Sequence, residues 1–153
     1  MFDIVATGGT FDILHKGHYM LLQKAFEIGN KVIIGVSSDE YVTLKNKKII
    51  NHYSIRLTNL KNFIKEKFAK TNYMIYKLND FYGPTVLTNQ VQALVTTEAT
   101  KINCDKINVL RKSKGMPVLE VIVVPLVEDK EGKVISSTRI RLGEIDVNGN
   151  KLT

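Results

Sequence analysis

The sequence predicts an α/β domain: a five-stranded parallel sheet flanked by helices. Three observations predict it. Short apolar runs alternate along the chain with longer segments whose apolar residues recur at helical spacing. The run Val32, Ile33, Ile34, Val36 does not alternate with polar residues, which marks a strand buried on both faces. Strand and helix patterns follow one another from end to end, and that order makes a parallel sheet with right-handed crossovers. With 153 residues, 44% hydrophobic and 24% charged, one domain over residues 1–153 is expected. At this size about two-thirds of the unfolded surface is buried on folding.

Taken in order, Phe2 to Ala6 reads as the first strand. A helix follows from about Lys16 to Ile28, with Leu22, Ala25 and Phe26 inward and Gly29-Asn30 as its stop. Lys31 to Val36 is the second strand. Ser37-Ser38-Asp39 caps a short helix to about Leu44, and a basic loop runs from Lys45 to Asn51. Ser54 is read as the cap of a helix to about Lys70, with Leu57, Leu60, Ile64 and Phe68 inward. Tyr73 to Leu78 is the third strand, and Asp80 to Pro84 carries turn chemistry. Ala93 to Val95 is the fourth strand. The next helix is expected over Glu98 to Lys112, with Ala99, Ile102, Ile107 and Leu110 inward and Gly115 as its stop. Val118 to Val124 is the fifth strand. Ser136 or Ser137 then caps a final short helix, Thr138 to Leu142. The whole is Rossmann-like, and ligands are expected at the carboxyl ends of the strands.

Composition narrows the function classes. No apolar run reaches the ~18 residues of a membrane helix, so no membrane role is expected. The start, Met1-Phe2-Asp3-Ile4, has no basic leader pattern. The single cysteine, Cys104, cannot make an internal disulfide, and a cytoplasmic setting is the expectation. A net charge of +7 attracts anions, whether nucleic acid or small polyphosphates. There is no tryptophan and no basic tract interleaved with aromatics, so nucleic acid is not the expected partner. The absence of a long exposed apolar stripe favours a monomer.

The chemistry concentrates in two blocks. The first is Gly8-Gly9-Thr10-Phe11-Asp12-Ile13-Leu14-His15-Lys16-Gly17-His18, on a strand-to-helix turn. Its glycines admit a close ligand, and a helix N-terminus there favours phosphate. His15 and His18 stand three apart and can face one spot, while Gly17 would let a phosphate chain lie against the backbone. The block is neither a dinucleotide fingerprint nor a Walker loop. A metal reading lacks a third ligand. The second block, Ile135-Ser136-Ser137-Thr138-Arg139-Ile140-Arg141, places hydroxyls and arginines at another helix start, which again describes a phosphate clamp.

These two blocks together resemble the nucleotidyltransferase superfamily that carries the HIGH motif. Several further strings are similar to its archaeal-type phosphopantetheine adenylyltransferases: Gly83-Pro84-Thr85, Thr97-Glu98-Ala99-Thr100, Ile107-Asn108-x-x-Arg111 and Gly143-Glu144-Ile145-Asp146. The resemblance spans Val5 to about Gly149. It implies adenylyl transfer from ATP to 4′-phosphopantetheine, giving dephospho-CoA and pyrophosphate. It implies that His18 stabilises the α-phosphoryl transition state, that His15 holds the triphosphate and that Thr10 touches both reacting phosphates. Lys48, or Lys47, would hold the acceptor phosphate. Gly8, Gly9, Phe11, Gly17, Arg111, Ser136, Ser137, Thr138 and Arg139 would complete the ATP side, and Glu98 would reach the acceptor. Arg56 matches a family arginine, with a structural ion pair as its other reading. Mg²⁺ would travel with ATP and need no protein cage.

Two positions depart from the family pattern. Thr97 stands for a usual serine and Ala99 for a frequent acidic residue, and both bear on the acceptor side. Lys112-Ser113-Lys114-Gly115-Met116 has the look of a synthetase K-M-S-K-S signature, but it precedes the fifth strand instead of following it. Sibling acceptors are FMN, nicotinamide mononucleotide or glycerol phosphate, with ATP or CTP. A non-catalytic nucleotide-binding or nucleic-acid-binding module is the reading from a different class.

Overall fold

The structure is a computed structural model that describes every residue except Thr71, Leu87 and Thr153. The described elements follow in the order β1 Phe2–Gly9, α1 Lys16–Ile28, β2 Gly29–Ser37, α2 Asp39–Leu44, α3 Tyr53–Lys67 and β3 Tyr73–Leu78. A 3₁₀ turn at Gly83–Val86, β4 Ala93–Thr97, α4 Lys101–Ser113, β5 Glu120–Val124 and α5 Ser137–Arg141 complete them. The five strands form one sheet in the order β3-β2-β1-β4-β5, with every pairing parallel. The chain runs outward from β1 to β3, then returns to β4 on the other side of β1. The reversal of strand order therefore falls between β1 and β4, which is where such sheets open a crevice at their carboxyl ends.

Both faces of the sheet are covered. On one, Val5, Val32, Ile34 and Val95 meet Leu22 and Ala25 of α1 and Leu60 and Ile64 of α3. On the other, Ala6, Ile33 and Leu94 meet Cys104 and Ile107 of α4. Alternate residues of each strand thus serve opposite cores, and the continuous apolar run of β2 follows from that double burial.

Several boundaries differ from the sequence expectation, each for a local reason. β1 continues through Gly8 and Gly9, because both pair with Gly35 and Val36 of β2. Gly29 does not end α1 in a left-handed turn; its φ is −115° and it opens β2 directly. What demands glycine there is space, since a Cβ would sit 2.5 Å from Val5 Cγ2. α3 begins at Tyr53, not after Ser54, and its start is capped by Asp39, which accepts the Tyr53 N–H at 2.9 Å. α4 begins three residues later than expected, at Lys101. Its inward face is Cys104, Ile107 and Arg111, leaving Ile102 exposed. No described helix is long and apolar enough to cross a membrane.

Candidate active site

β1 delivers the first block to the carboxyl edge, and His15 caps the helix that follows. His15 Nδ1 accepts the Gly17 N–H at 3.0 Å, and His18 Nδ1 accepts the His15 N–H at 3.2 Å. The two rings stack with centroids 3.9 Å apart. A nitrogen that accepts an N–H carries no proton, so each neutral ring holds its proton on Nε2. Burial pulls the His15 pKa down to about 4. Burial, and then the neighbouring His15, hold His18 well below the ordinary imidazole value. At neutral pH the pair therefore offers two oriented Nε2–H donors and no charge. Gly17 makes this stack possible: a Cβ there would lie 2.8 Å from His15 Cε1. The space expected for a phosphate chain is taken by the His15 ring.

Thr10 and Phe11 form the bend before α1. Phe11 has φ +53°, a region costly for an aromatic residue. Its ring is buried in the core, 5.1 Å from the His18 ring, so its side chain is not free for nucleotide. The bend is held from behind. Arg56, wholly buried, donates to the Thr10 carbonyl at 2.7 Å, to the Asn51 carbonyl at 3.0 Å and to Asp39 Oδ1 at 2.9 Å. That settles Arg56 as structural. Asp12, also buried, accepts the N–H groups of Ile50 and Asn51 at 2.8 and 2.9 Å. It thereby ties the end of the basic loop to the first block. The Thr10 hydroxyl is buried and has no hydrogen-bond partner among the described residues.

That hydroxyl borders a cavity of about 350 Å³ on the α4 side of the sheet. Its floor is Ala6, Gly8, Ile33, Gly35 and Leu94, and small residues there leave open space above the strands. One wall comes from Leu78, Phe81, Tyr82, Pro84 and Thr85; the other from Thr100, Asn103, Cys104 and Ile107. Lys45 and Lys47 stand at its mouth. Lys45 Nζ donates to Ser37 Oγ at 3.3 Å and lies 4.1 Å from the centre of the Tyr41 ring. Burial, then Lys47 and Arg56, pull its pKa down to about 8. Neither histidine and no member of the second block lines this cavity, and Thr10 belongs to its lining.

Four of the expected ligands lie outside the cavity lining. Lys48 is exposed and does not line the cavity; its carbonyl instead accepts from Arg141 at 3.0 Å. The lysine of this loop missed by spacing is Lys45, whose side chain α2 turns inward. Arg139 is consumed within its own loop, by Asp129 at 2.7 Å, Glu144 at 3.0 Å and the Val134 carbonyl at 2.8 Å. Arg111 lies wholly buried, on backbone carbonyls beneath the cavity wall. Glu98 sits exposed just past β4 and does not line the cavity. In the second block Ser136 caps α5 through the Arg139 N–H, and Ser137 donates to the Ile13 carbonyl at 3.0 Å. Ser137 thus joins the two blocks. Arg141 reaches back toward Asp12, at 3.7 Å, and Thr138, at 3.3 Å. Among the described residues no three His, Cys, Asp or Glu side chains gather as a metal-binding group.

Fold and site together define a nucleotide-handling α/β domain with paired histidines at the crevice of a parallel sheet. The model of the cytidylyltransferase-like family matches residues 6–143. The chain is 41% identical over 149 residues to the phosphopantetheine adenylyltransferase of Methanothermobacter thermautotrophicus, covering 97% of this chain and 89% of that protein. It is 42% identical to the enzyme of the same name from Pyrococcus horikoshii, over 99% of this chain and 96% of that one. A solved protein of unknown function from Archaeoglobus fulgidus superposes with a TM-score of 0.73 at 29% identity, covering 80% of this chain and 89% of that one. The chain belongs to the cytidylyltransferase-like family, within its archaeal phosphopantetheine adenylyltransferase branch.

Proposed function

We propose that this chain, acting as a single catalytic unit over residues 1–153, transfers the adenylyl group of ATP to 4′-phosphopantetheine. An oxygen of the acceptor phosphate attacks the α-phosphorus. The bond from that phosphorus to the α,β-bridging oxygen breaks, and pyrophosphate leaves. The products are dephospho-CoA and pyrophosphate, a step of coenzyme A synthesis. An acceptor phosphate is already ionised at neutral pH, so the protein's task is placement and charge neutralisation, not proton abstraction.

The observation that carries this reading is the Thr10 hydroxyl, buried and without a partner among the described residues, on a residue that lines the cavity. A buried hydroxyl without a partner costs free energy, and a bound phosphate oxygen would repay it. On the cavity side, Lys47 and Lys45 meet the acceptor phosphate, and the apolar walls hold its arm. Glu98 stands outside this lining, beyond the β4 edge. On the other side, His15 and His18 donate their Nε2–H groups to the triphosphate, with His18 at the α-phosphoryl oxygens. The backbone at Phe11 and Gly17 edges the triphosphate side, while Gly8 and Gly9, which line the cavity, bring the reacting phosphates together. Ser136 and Ser137 hold the second loop in place, while Thr138 and Arg141 face the departing phosphates. Mg²⁺ would travel with ATP as part of the substrate and would neutralise phosphate charge there. Catalysis by a monomer in the cytoplasm fits the reading.

The test is pyrophosphate release, crossing ATP and CTP with 4′-phosphopantetheine, FMN, nicotinamide mononucleotide and glycerol phosphate. Release is expected with ATP and phosphopantetheine. Release only with another pair would overturn the reading.

A further inference from the structure

Arg111 is a fully buried charge, and among the described residues no carboxylate holds it. Among the described residues its partners are all carbonyl oxygens. Nε donates to Pro117 at 2.8 Å, Nη1 to Thr88 at 3.0 Å and to Thr85, and Nη2 to Val91 at 3.3 Å. The side chain is 0% exposed. A cation buried without a counter-charge is expensive. A guanidinium nevertheless does what no neutral side chain can: it presents five donors in one rigid plane. Here that plane gathers carbonyl 85 of the 3₁₀ turn with carbonyls 88 and 91, which lie between that turn and β4. The same stretch begins with Pro84 and Thr85, which form one wall of the cavity. The helix that carries Arg111 supplies the opposite wall through Thr100, Asn103 and Cys104.

Asn108, one turn earlier on α4, holds a different neighbour. Its amide donates to the Leu119 carbonyl at 3.0 Å and accepts the Leu119 N–H at 2.7 Å. It ties α4 to the approach of β5, and among the described residues its side-chain hydrogen bonds go to Leu119. Asn108 and Arg111 therefore separate two jobs: one fixes the helix to the sheet, the other fixes the facing wall to the helix.

We propose that Arg111 is a positioning residue that sets the distance between the two walls of the cavity and so the fit of the acceptor arm. The proposal rests on the acceptor occupying this cavity. Loss of the guanidinium frees the 85–91 stretch, the wall retreats, and contacts along the arm weaken while the triphosphate side is untouched.

The test combines steady-state kinetics with backbone hydrogen exchange on wild type, Arg111→Lys, Arg111→Met and Asn108→Ala. Arg111→Lys keeps the charge and loses the fork, so it serves if Arg111→Met does not fold. For Arg111→Lys, KM for phosphopantetheine is expected to rise about tenfold, the equivalent of one good hydrogen bond. KM for ATP should stay within about twofold, and amides 85–91 should exchange faster while those of α1 do not. Asn108→Ala should lower stability and leave acceptor KM within about twofold of wild type. Equal rises in both KM values, an unchanged acceptor KM in the Arg111 variants, or an equal acceptor defect in Asn108→Ala would overturn the proposal. A separate wild-type measurement isolates its premise. If phosphopantetheine does not protect the 78–91 amides from exchange, the acceptor is not in this cavity and both assignments fall.

Discussion

Arg56 Nη1 donates to the carbonyl oxygen of Thr10 at 2.7 Å, from a guanidinium with no exposed surface. The bond joins α3 to the bend that precedes the histidines. The other end of the same guanidinium meets Asp39 Oδ1, which also accepts the first N–H of α3. Burial pushes the Asp39 carboxyl up, but the Arg56 hydrogen bond, the Tyr53 amide and the Arg56 charge together hold it below its usual value. Arg56 thus positions Thr10, and through it the strained Phe11, without touching a ligand. Replacing it leaves three part-buried acceptors without this donor. Arg56→Gln should lower stability by about 1–3 kcal/mol, the range for leaving hydrogen-bonding groups unsatisfied. Denaturant unfolding of the two proteins checks this.

His18→Ala removes one Nε2–H donor aimed at developing phosphoryl charge. Turnover should fall by about 10²–10³-fold, as for loss of one preorganised donor, while the Kd for ATP changes far less. Pyrophosphate release and ATP titration measure the two quantities. Equal losses in both would move His18 from the transition state to simple binding.

The histidine pair also sets a pH dependence. Unfolded imidazoles titrate near 6.5, whereas folding pulls His15 down to about 4 and His18 well below its ordinary value. Between those values the unfolded chain binds more protons than the folded one, so stability rises with pH there. Folding should be fully supported above about pH 6.5 and should weaken as pH falls toward 4. Unfolding free energies from pH 4 to 7.5 test the direction. His15→Gln should flatten the slope.

At the cavity mouth, Lys47→Ala and Lys45→Ala should each raise the acceptor KM about tenfold or more, the scale of a lost charge-assisted hydrogen bond. Lys48→Ala should leave it near wild type, because its side chain is outside the cavity. Lys45 adds a second signature. With its pKa pulled to about 8, it loses charge as pH rises through that value, and acceptor affinity should fall with it. Lys45→Arg should remove this alkaline loss. Acceptor KM measured from pH 7 to 9.5 distinguishes the variants.

Gly149 supports the first helical turn of α1 through its loop. Its φ is +85°, and a Cβ would meet Ile135 Cδ1 at 2.5 Å. Its loop presents the Val147 carbonyl to the Lys16 N–H at 3.0 Å, at the first turn of α1. Gly149→Ala should cost about 1–3 kcal/mol through strain and overpacking. Thermal unfolding reads that loss, and faster exchange at the Lys16 amide should accompany it.

Much of this protein is written in local pattern. The alternation of apolar strands with helical segments determined the parallel sheet and both its cores. The first block determined where its site lies, because a glycine-rich turn, a capping histidine and a second histidine three residues on are local features. Spacing alone brings His15 and His18 onto one turn. The resemblance of the two blocks to nucleotidyltransferases was legible for the same reason: each is a short, contiguous string.

Only tertiary structure decided which charged residues are free for a ligand. Arg56, Arg111 and Arg139 all look like phosphate ligands when read along the chain. Their partners lie elsewhere: Thr10 is 46 residues from Arg56 and Thr85 is 26 from Arg111, and Asp129 stands across a loop from Arg139. Lys45 and Lys48 are three residues apart and chemically alike, yet the turn at the end of α2 sends one into the cavity and the other to solvent. A side chain's periodicity is set by its own helix or strand, but its availability is set by what other segments place around it. Hydrogen-bond satisfaction of a buried guanidinium depends on distant carbonyls, and no local pattern records them.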